Sequence, residues 1–68
     1  MAKLQTHEIA PAIAKYGKPK AVPGVDCADS AKNPPGTICS TTDCVQGARL
    51  IQRCDQTKGC TEYEVIPC

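Results

Sequence analysis

Six cysteines are the residues with the clearest chemistry in this 68-residue sequence. They all lie in the later part of the chain, at Cys27, Cys39, Cys44, Cys54, Cys60 and Cys68. An even number of cysteines in so short a chain favours disulfide bonds formed in an oxidising compartment. We therefore expect disulfides and a secreted, extracellular protein. The sequence leaves the connectivity open, because six cysteines can pair in many ways.

The rest of the composition makes such bonds necessary. A chain of this length buries too little surface for an apolar core alone to offset the entropy of folding. The sequence has no Phe or Trp and only two Tyr, so the largest apolar side chains are almost absent. Each disulfide contributes about 3–4 kcal/mol on the chain-entropy model, so the disulfides are expected to decide whether the chain folds.

Metal binding is the alternative use of the cysteines. Successive cysteines are separated by eleven, four, nine, five and seven residues, and no C-x-x-C pair occurs. Zinc sites in proteins generally use such pairs together with histidines. The single histidine, His7, lies twenty residues before Cys27. We expect no metal site and no cofactor.

Few residues in the sequence could take part in catalysis. His7 is the single histidine, and no thiol remains to act as a nucleophile if all the cysteines are paired. Acid–base chemistry by two carboxyl groups needs a cleft that keeps them in unequal environments, which a domain this thin can hardly provide. The sequence therefore predicts a protein that is not an enzyme.

Basic side chains close to cysteines raise the possibility of protease inhibition. Lys58 lies two residues before Cys60, and Arg49 follows Ala48, so either could enter the pocket of a trypsin-like protease from an exposed loop. The same residues are equally typical of a hairpin tip and a strand face. Our candidate binding residues are Arg49, Arg53, Lys58 and Tyr63.

The C-terminal end has the clearest pattern of regular structure. Residues 48–54 and 61–66 both alternate in the manner of strands, and Gly59 in the segment 55–59 suits a hairpin loop. In an antiparallel pair, Arg49 or Arg53 would lie opposite an acidic residue of the second strand, Glu62 or Glu64.

Earlier segments are shorter and more broken. Asn33-Pro-Pro-Gly36 predicts a turn, and a short strand is expected over 36–40. The fold class is thus a small, disulfide-rich, mainly β domain with a two- or three-stranded antiparallel sheet and three disulfides, covering residues 27–68.

Residues 1–26 contain no cysteine and are interpreted as a flexible N-terminal arm or the remnant of a pro-region. A short helix is expected to start with Pro11 and to stop at Gly17, with Ile9, Ile13 and Tyr16 on one face. Residues 17–24 follow as a linker, because their prolines and glycines break a helix. Deleting residues 1–24 is expected to leave the fold intact.

The formal net charge of +1 argues against several classes of partner. Residues 1–26 carry four lysines and two acidic residues, while 27–68 carry four basic and five acidic residues. Neither part is basic enough to predict binding to nucleic acid or to anionic lipid. No apolar run is long enough to span a membrane or to form a signal peptide, so we expect a mature form with Met1 added.

The chain resembles the small secreted cysteine-rich proteins of fungi, the group that contains effectors and antifungal proteins. The resemblance is carried by the six cysteines and by the segments GARLIQRC and GCTEYEVIPC. It implies extracellular action by contact with a host or competitor macromolecule, either another protein or a cell-surface component. The alternatives are a serine-protease inhibitor and an antimicrobial or antifungal peptide, although the low net charge departs from the basic antifungal members.

Overall fold

A computed structural model describes residues 3–68, so the expectation that Met1 is an addition lies outside the described residues. Its elements in chain order are α1 (Thr6–Tyr16), β1 (Lys20–Ala21), β2 (Ile38–Thr41), β3 (Ala48–Asp55) and β4 (Gly59–Pro67). The strands form one antiparallel sheet in the order β1-β2-β3-β4. The small, mainly β fold is confirmed, with four strands instead of two or three.

The β3–β4 hairpin is the part of the sheet that the alternating pattern predicted. Arg53 lies opposite Glu62, and its Nε is 2.9 Å from Oε1 of Glu64. The loop closes where Asp55 pairs with Gly59, whose φ of +79° favours glycine. The predicted charge pairing across this hairpin is confirmed.

Strand β1 was not predicted, because residues 17–24 were expected to be only a linker. Lys20 pairs with Thr41 and Ala21 with Ser40, and the amide of Val22 donates to the carbonyl of Cys39 at 2.9 Å. Two paired residues between prolines are too short to give a periodic signal in the sequence. Their pairing makes this segment the first edge of the sheet.

Prolines restrict that edge. Because the amide of Val22 donates towards β2, strand alternation turns the amide of Ala21 away from β2. The strand lies between Pro19, which is buried, and Pro23, which is exposed. Proline has no amide hydrogen, so Ala21 alone can donate a hydrogen bond outward over this stretch. Prolines in such positions prevent a further strand from adding to a sheet.

Helix α1 begins five residues earlier than Pro11, which the sequence placed in the first turn. Its start is fixed by the amide of Gln5, which donates to the carboxylate of Glu8 at 2.9 Å. Pro11 consequently lies inside the helix, where it cannot donate to the carbonyl of the fourth residue before it. The predicted end at Gly17 is confirmed: its φ is +90° and its amide donates to the carbonyl of Ile13 at 2.8 Å.

The helix connects the two edges of the sheet. Before it, the amide of Leu4 donates to the carbonyl of Tyr63 at 2.9 Å, and Lys3 forms a bridge with Glu64 on the outer edge of β4. After it, the chain enters β1 at the opposite edge. A helix of 11 residues is roughly 16 Å long, close to the roughly 14 Å spanned by four strands.

The division of the chain at residue 26 stays a prediction. What the structure adds is that residues 3–4 contact the edge strand β4 through their backbone, while residues 20–21 pair with β2 and form the opposite edge of the sheet.

The core is centred on β3. Cys39, Leu50, Ile51 and Cys54 are its buried apolar residues. Leu50 shares a face with Ser40, which lines a groove together with the loop residues Val25 and Cys27. Ile51 lies on the other face beside Thr41, which lines a groove with Tyr16 at the end of α1. The central strand is therefore covered by the loop on one side and by the helix on the other.

Three disulfides close the fold, and the part of the chain that the structure describes has no free cysteine. In order along the sequence, the first cysteine pairs with the fourth, the second with the fifth and the third with the sixth. The bonds are Cys27–Cys54, Cys39–Cys60 and Cys44–Cys68. The last of them ties Cys68, and with it the end of β4, to the loop before β3.

Candidate binding surface

Arg53, one of the predicted binding residues, is occupied by contacts within the protein. Its Nε donates to Oε1 of Glu64 at 2.9 Å, and its Nη1 donates to the carbonyl of Gly36 at 2.7 Å. The guanidinium thus joins β4 to the turn before β2. This arrangement makes Arg53 a structural residue more than a group available to a ligand.

Arg49 lies at the start of β3 and is half-buried. Its Nη1 donates to the hydroxyl of Thr41 at 3.2 Å, while its Nε is buried and has no hydrogen-bond partner among residues 3–68. Neither of the two ion pairs in this part of the chain includes it. The positive charge of Arg49 therefore lies next to the hydroxyl of Thr41, and no acidic residue from 3 to 68 pairs with it.

Lys58 and Tyr63 line one shallow groove of about 210 Å³ next to the start of α1. Its lining consists of Lys3, Leu4, Thr6, Ile9, Asp55, Lys58, Thr61, Glu62 and Tyr63. The structure thus brings two of the four predicted residues together. The groove carries acidic and basic groups side by side, and Lys3 is paired with Glu62 at 3.0 Å.

The hairpin tip that carries Lys58 is held by a carboxylate. Oδ1 of Asp55 accepts hydrogen bonds from the amide of Thr57 at 2.8 Å, the hydroxyl of Thr57 at 2.9 Å and the amide of Lys58 at 3.2 Å. These bonds, those from Thr57 above all, lower the pKa of Asp55 from its ordinary value. Lys58 is therefore presented on a tight turn and not on an extended loop.

A second groove, of about 290 Å³, has two lysines and a single acidic residue in its lining. We call it the lysine groove. Its lining residues are Tyr16, Gly17, Lys18, Lys20, Thr41, Thr42 and Asp43. The pairing of β1 with β2 creates it, because this pairing brings the segment after the helix beside the end of β2. None of these residues was among the predicted binding residues.

The wall of the lysine groove is fixed by hydrogen bonds. The hydroxyl of Thr41 accepts from Arg49 and donates to the carbonyl of Thr42 at 3.1 Å. The hydroxyl of Thr42 accepts from the amide of Leu50 at 3.0 Å and donates to the carbonyl of Asp43 at 3.1 Å. Because each hydroxyl already donates its one proton, Lys18 and Lys20 are the charged donors in the lining that can contact a ligand.

Positive charge is concentrated around this groove. Lys15 lies in the last turn of α1, with its Nζ 5.2 Å from the centre of the Tyr16 ring. Lys15, Lys18 and Lys20 form no ion pair with any residue from 3 to 68, and the sequence has no acidic residue between positions 9 and 25. That acid-free run is the sequence signal that could have indicated the site. Asp43 is the acidic residue in the lining.

A third groove, of about 370 Å³, follows the Cys39–Cys60 disulfide on the loop-covered face. The sulfur atoms of Cys27, Cys39 and Cys54 lie within 4.8 Å of one another there. All three belong to disulfides, so this cluster has no thiolate to offer a metal ion. The proximity of these sulfur atoms is therefore explained by the disulfide bonds that they form.

Fold and surface together define a small, disulfide-rich, mainly β protein with shallow grooves on both faces of its sheet. Comparisons with known protein families, with characterised proteins and with solved structures find no match for the chain. Over residues 3–68, no helix has the length and apolar character needed to cross a bilayer.

Proposed function

We propose that this chain is a secreted binding protein of the effector type, which acts without catalysis by contact with a protein or a cell-surface component. The observation that carries the proposal is the locked, grooved surface: three disulfides and a sheet covered on both sides hold shallow concavities in fixed positions. Disulfides are typical of extracellular proteins, which favours secretion. A rigid surface favours binding, because less conformational entropy is lost when a partner is contacted.

The contacts are expected to come from grooves and loops more than from strand addition. Partners often bind a protein by adding a strand to a free sheet edge. Strand β1 is only two residues long and offers one outward amide, that of Ala21, while Leu4 occupies part of the opposite edge by its bond to Tyr63. The shallow grooves beside the covering helix and loop therefore offer the better surface.

Protease inhibition has less geometric support. An inhibitor presents its key residue on an exposed, extended loop, whereas Lys58 lies in the tight turn held by Asp55. Arg49 is half-buried on the central strand and bonded to Thr41. An assay against trypsin-like enzymes still separates the two functions, with Lys58→Ala and Arg49→Ala as test variants.

A binding panel tests the proposal directly. The native protein and a reduced, carboxamidomethylated form, which has the same side-chain charges, are titrated against immobilised neutral and anionic polysaccharides and secreted hydrolases. We expect saturable binding of the native form to at least one member and no inhibition of trypsin. Inhibition of trypsin at micromolar concentration that is lost in Lys58→Ala would overturn the proposal in favour of the inhibitor.

A further inference from the structure

We infer that the lysine groove binds an anionic carbohydrate chain that carries sulfate or carboxylate groups. The inference rests on the proposed function and names the class of partner for one surface. Its basis is the juxtaposition of Lys18 and Lys20 with the Tyr16 ring in one concavity, with Lys15 on the adjoining turn of the helix.

The local charge matters more here than the net charge of +1. At physiological ionic strength, interactions between exposed charges are largely screened beyond roughly 8 Å. Acidic residues of the β3–β4 hairpin are already engaged: Glu62 with Lys3 and Glu64 with Arg53. A ligand in the lysine groove therefore contacts lysines that form no ion pair with residues 3–68. Arg49, which is bonded to Thr41, adds a further positive charge nearby.

The chemistry of the lining favours a carbohydrate over an acidic peptide. An extended peptide would gain affinity by pairing with the free edge of β1, but this strand is only two residues long and Ala21 offers its one outward amide. The half-buried Tyr16 ring offers a flat apolar surface of the kind that packs against a ligand. Lysine ammonium groups on flexible stems suit repeated anionic groups of variable spacing.

The probe for the test is heparin, with chondroitin sulfate and polygalacturonate as further anionic chains. The groove variant combines Lys15→Gln, Lys18→Gln and Lys20→Gln. The matched control combines the remaining lysines of the sequence, Lys3→Gln, Lys32→Gln and Lys58→Gln. Each variant loses three positive charges, which changes the formal net charge from +1 to −2. The control variant also removes the ion pair between Lys3 and Glu62.

We expect the groove variant to bind heparin at least roughly tenfold more weakly than the wild type, and the control to lose less than about threefold. Circular dichroism establishes that both variants are folded. Binding should weaken as salt is raised, and less steeply for the groove variant, because fewer counterions are released. Equal losses in the two variants would overturn the inference.

Two single variants sharpen the result. Asp43→Asn removes the carboxylate from the groove and should strengthen binding by about twofold to threefold, because its charge opposes that of the ligand. Tyr16→Leu removes the ring while keeping an apolar side chain, and should weaken binding to the carbohydrate. No change in either variant would place the ligand elsewhere on the molecule and contradict the inference.

Other anionic partners form separate arms of the experiment. Groove-dependent binding to polyglutamate that exceeds binding to every anionic carbohydrate would replace the carbohydrate by an acidic peptide. Groove-dependent binding to vesicles with phosphatidylserine that exceeds binding to every anionic carbohydrate would identify the partner as a membrane surface instead. Binding to a neutral or protein member of the panel without any anionic polymer would refute this inference and leave the proposed function standing, whereas absence of all binding would refute both.

Discussion

Leu50 and Ile51 are neighbours on β3, and both are fully buried although their side chains point to opposite faces of the sheet. This relationship is possible only because each face of the central strand is covered. The loop tied down by Cys27–Cys54 lies on one side and helix α1 on the other. A domain of this size thereby gains a second small apolar layer.

The two buried side chains should both be essential for stability. We expect Leu50→Ala and Ile51→Ala each to lower the free energy of unfolding by about 2–5 kcal/mol, because each leaves a cavity next to a disulfide-constrained backbone. Urea unfolding at constant pH measures the change. The half-buried Val65 provides a control, since Val65→Ala should cost less. A loss below about 1 kcal/mol at Ile51 would contradict the two-sided core.

Removal of residues 1–24 tests whether the N-terminal segment is part of the fold. The sequence suggested an independent arm, but the observed packing favours a loss of stability, because the helix covers the face that carries Ile51. We expect the truncated protein to unfold at lower urea concentration, with a loss of about 2–3 kcal/mol, the amount for exposing one large apolar side chain. An unchanged midpoint would establish residues 27–68 as an independent domain.

The disulfides should not be equivalent. Cys44–Cys68 and Cys27–Cys54 have similar sequence separations, 24 and 27, so the chain-entropy model gives both about 3–4 kcal/mol. Cys54 is buried in the core, whereas Cys44 and Cys68 are exposed. Replacing Cys27 and Cys54 by alanine should therefore destabilise the protein more than replacing the other pair. Equal urea midpoints of the two double variants would contradict the greater contribution of the buried disulfide to stability.

The hairpin tip should give the protein a defined acid sensitivity. The hydrogen bonds from Thr57 and Lys58 lower the pKa of Asp55 below its usual value of 3.8, so folding favours its ionised form. This contribution is fully present above the unfolded pKa and is lost as the pH falls through the lower folded pKa.

We therefore expect Asp55→Asn to destabilise the protein at about pH 6 and to have a smaller effect at about pH 2. Urea midpoints at both pH values measure the change. Asp43→Asn is the control, because the carboxylate of exposed Asp43 accepts no hydrogen bond from residues 3–68. A destabilisation by Asp55→Asn that is the same at both pH values would show that its charge is irrelevant.

Local patterns explain which parts of the fold could be predicted. The β3–β4 hairpin was accessible because alternation over two long segments and Gly59 at the turn agree. The start of α1 was misplaced because Pro11 is far more typical of a first turn than of a helix interior. The sequence contains no comparable signal for Lys20–Ala21, whose strand exists only by pairing with β2.

The candidate site could be predicted even less. Arg53 looks like a ligand-binding residue in the sequence, but its ion pair with Glu64 and its bond to Gly36 give it a structural role. The lysine groove depends on the pairing of β1 with β2, which joins Tyr16–Lys20 to Thr41–Asp43 across more than twenty residues. A run of lysines without acidic neighbours was visible, yet nothing local indicates what lies opposite.

The central claim is that function resides on a surface that the disulfides hold in place. The most direct measurement compares the affinities of the native and the reduced, carboxamidomethylated protein for the tightest ligand of the binding panel, at equal salt and pH. We predict that the native form binds at least roughly tenfold more tightly, because the unfolded chain must lose conformational entropy to present the same groups. Equal affinities would show that sequence and charge alone suffice, and would contradict the account.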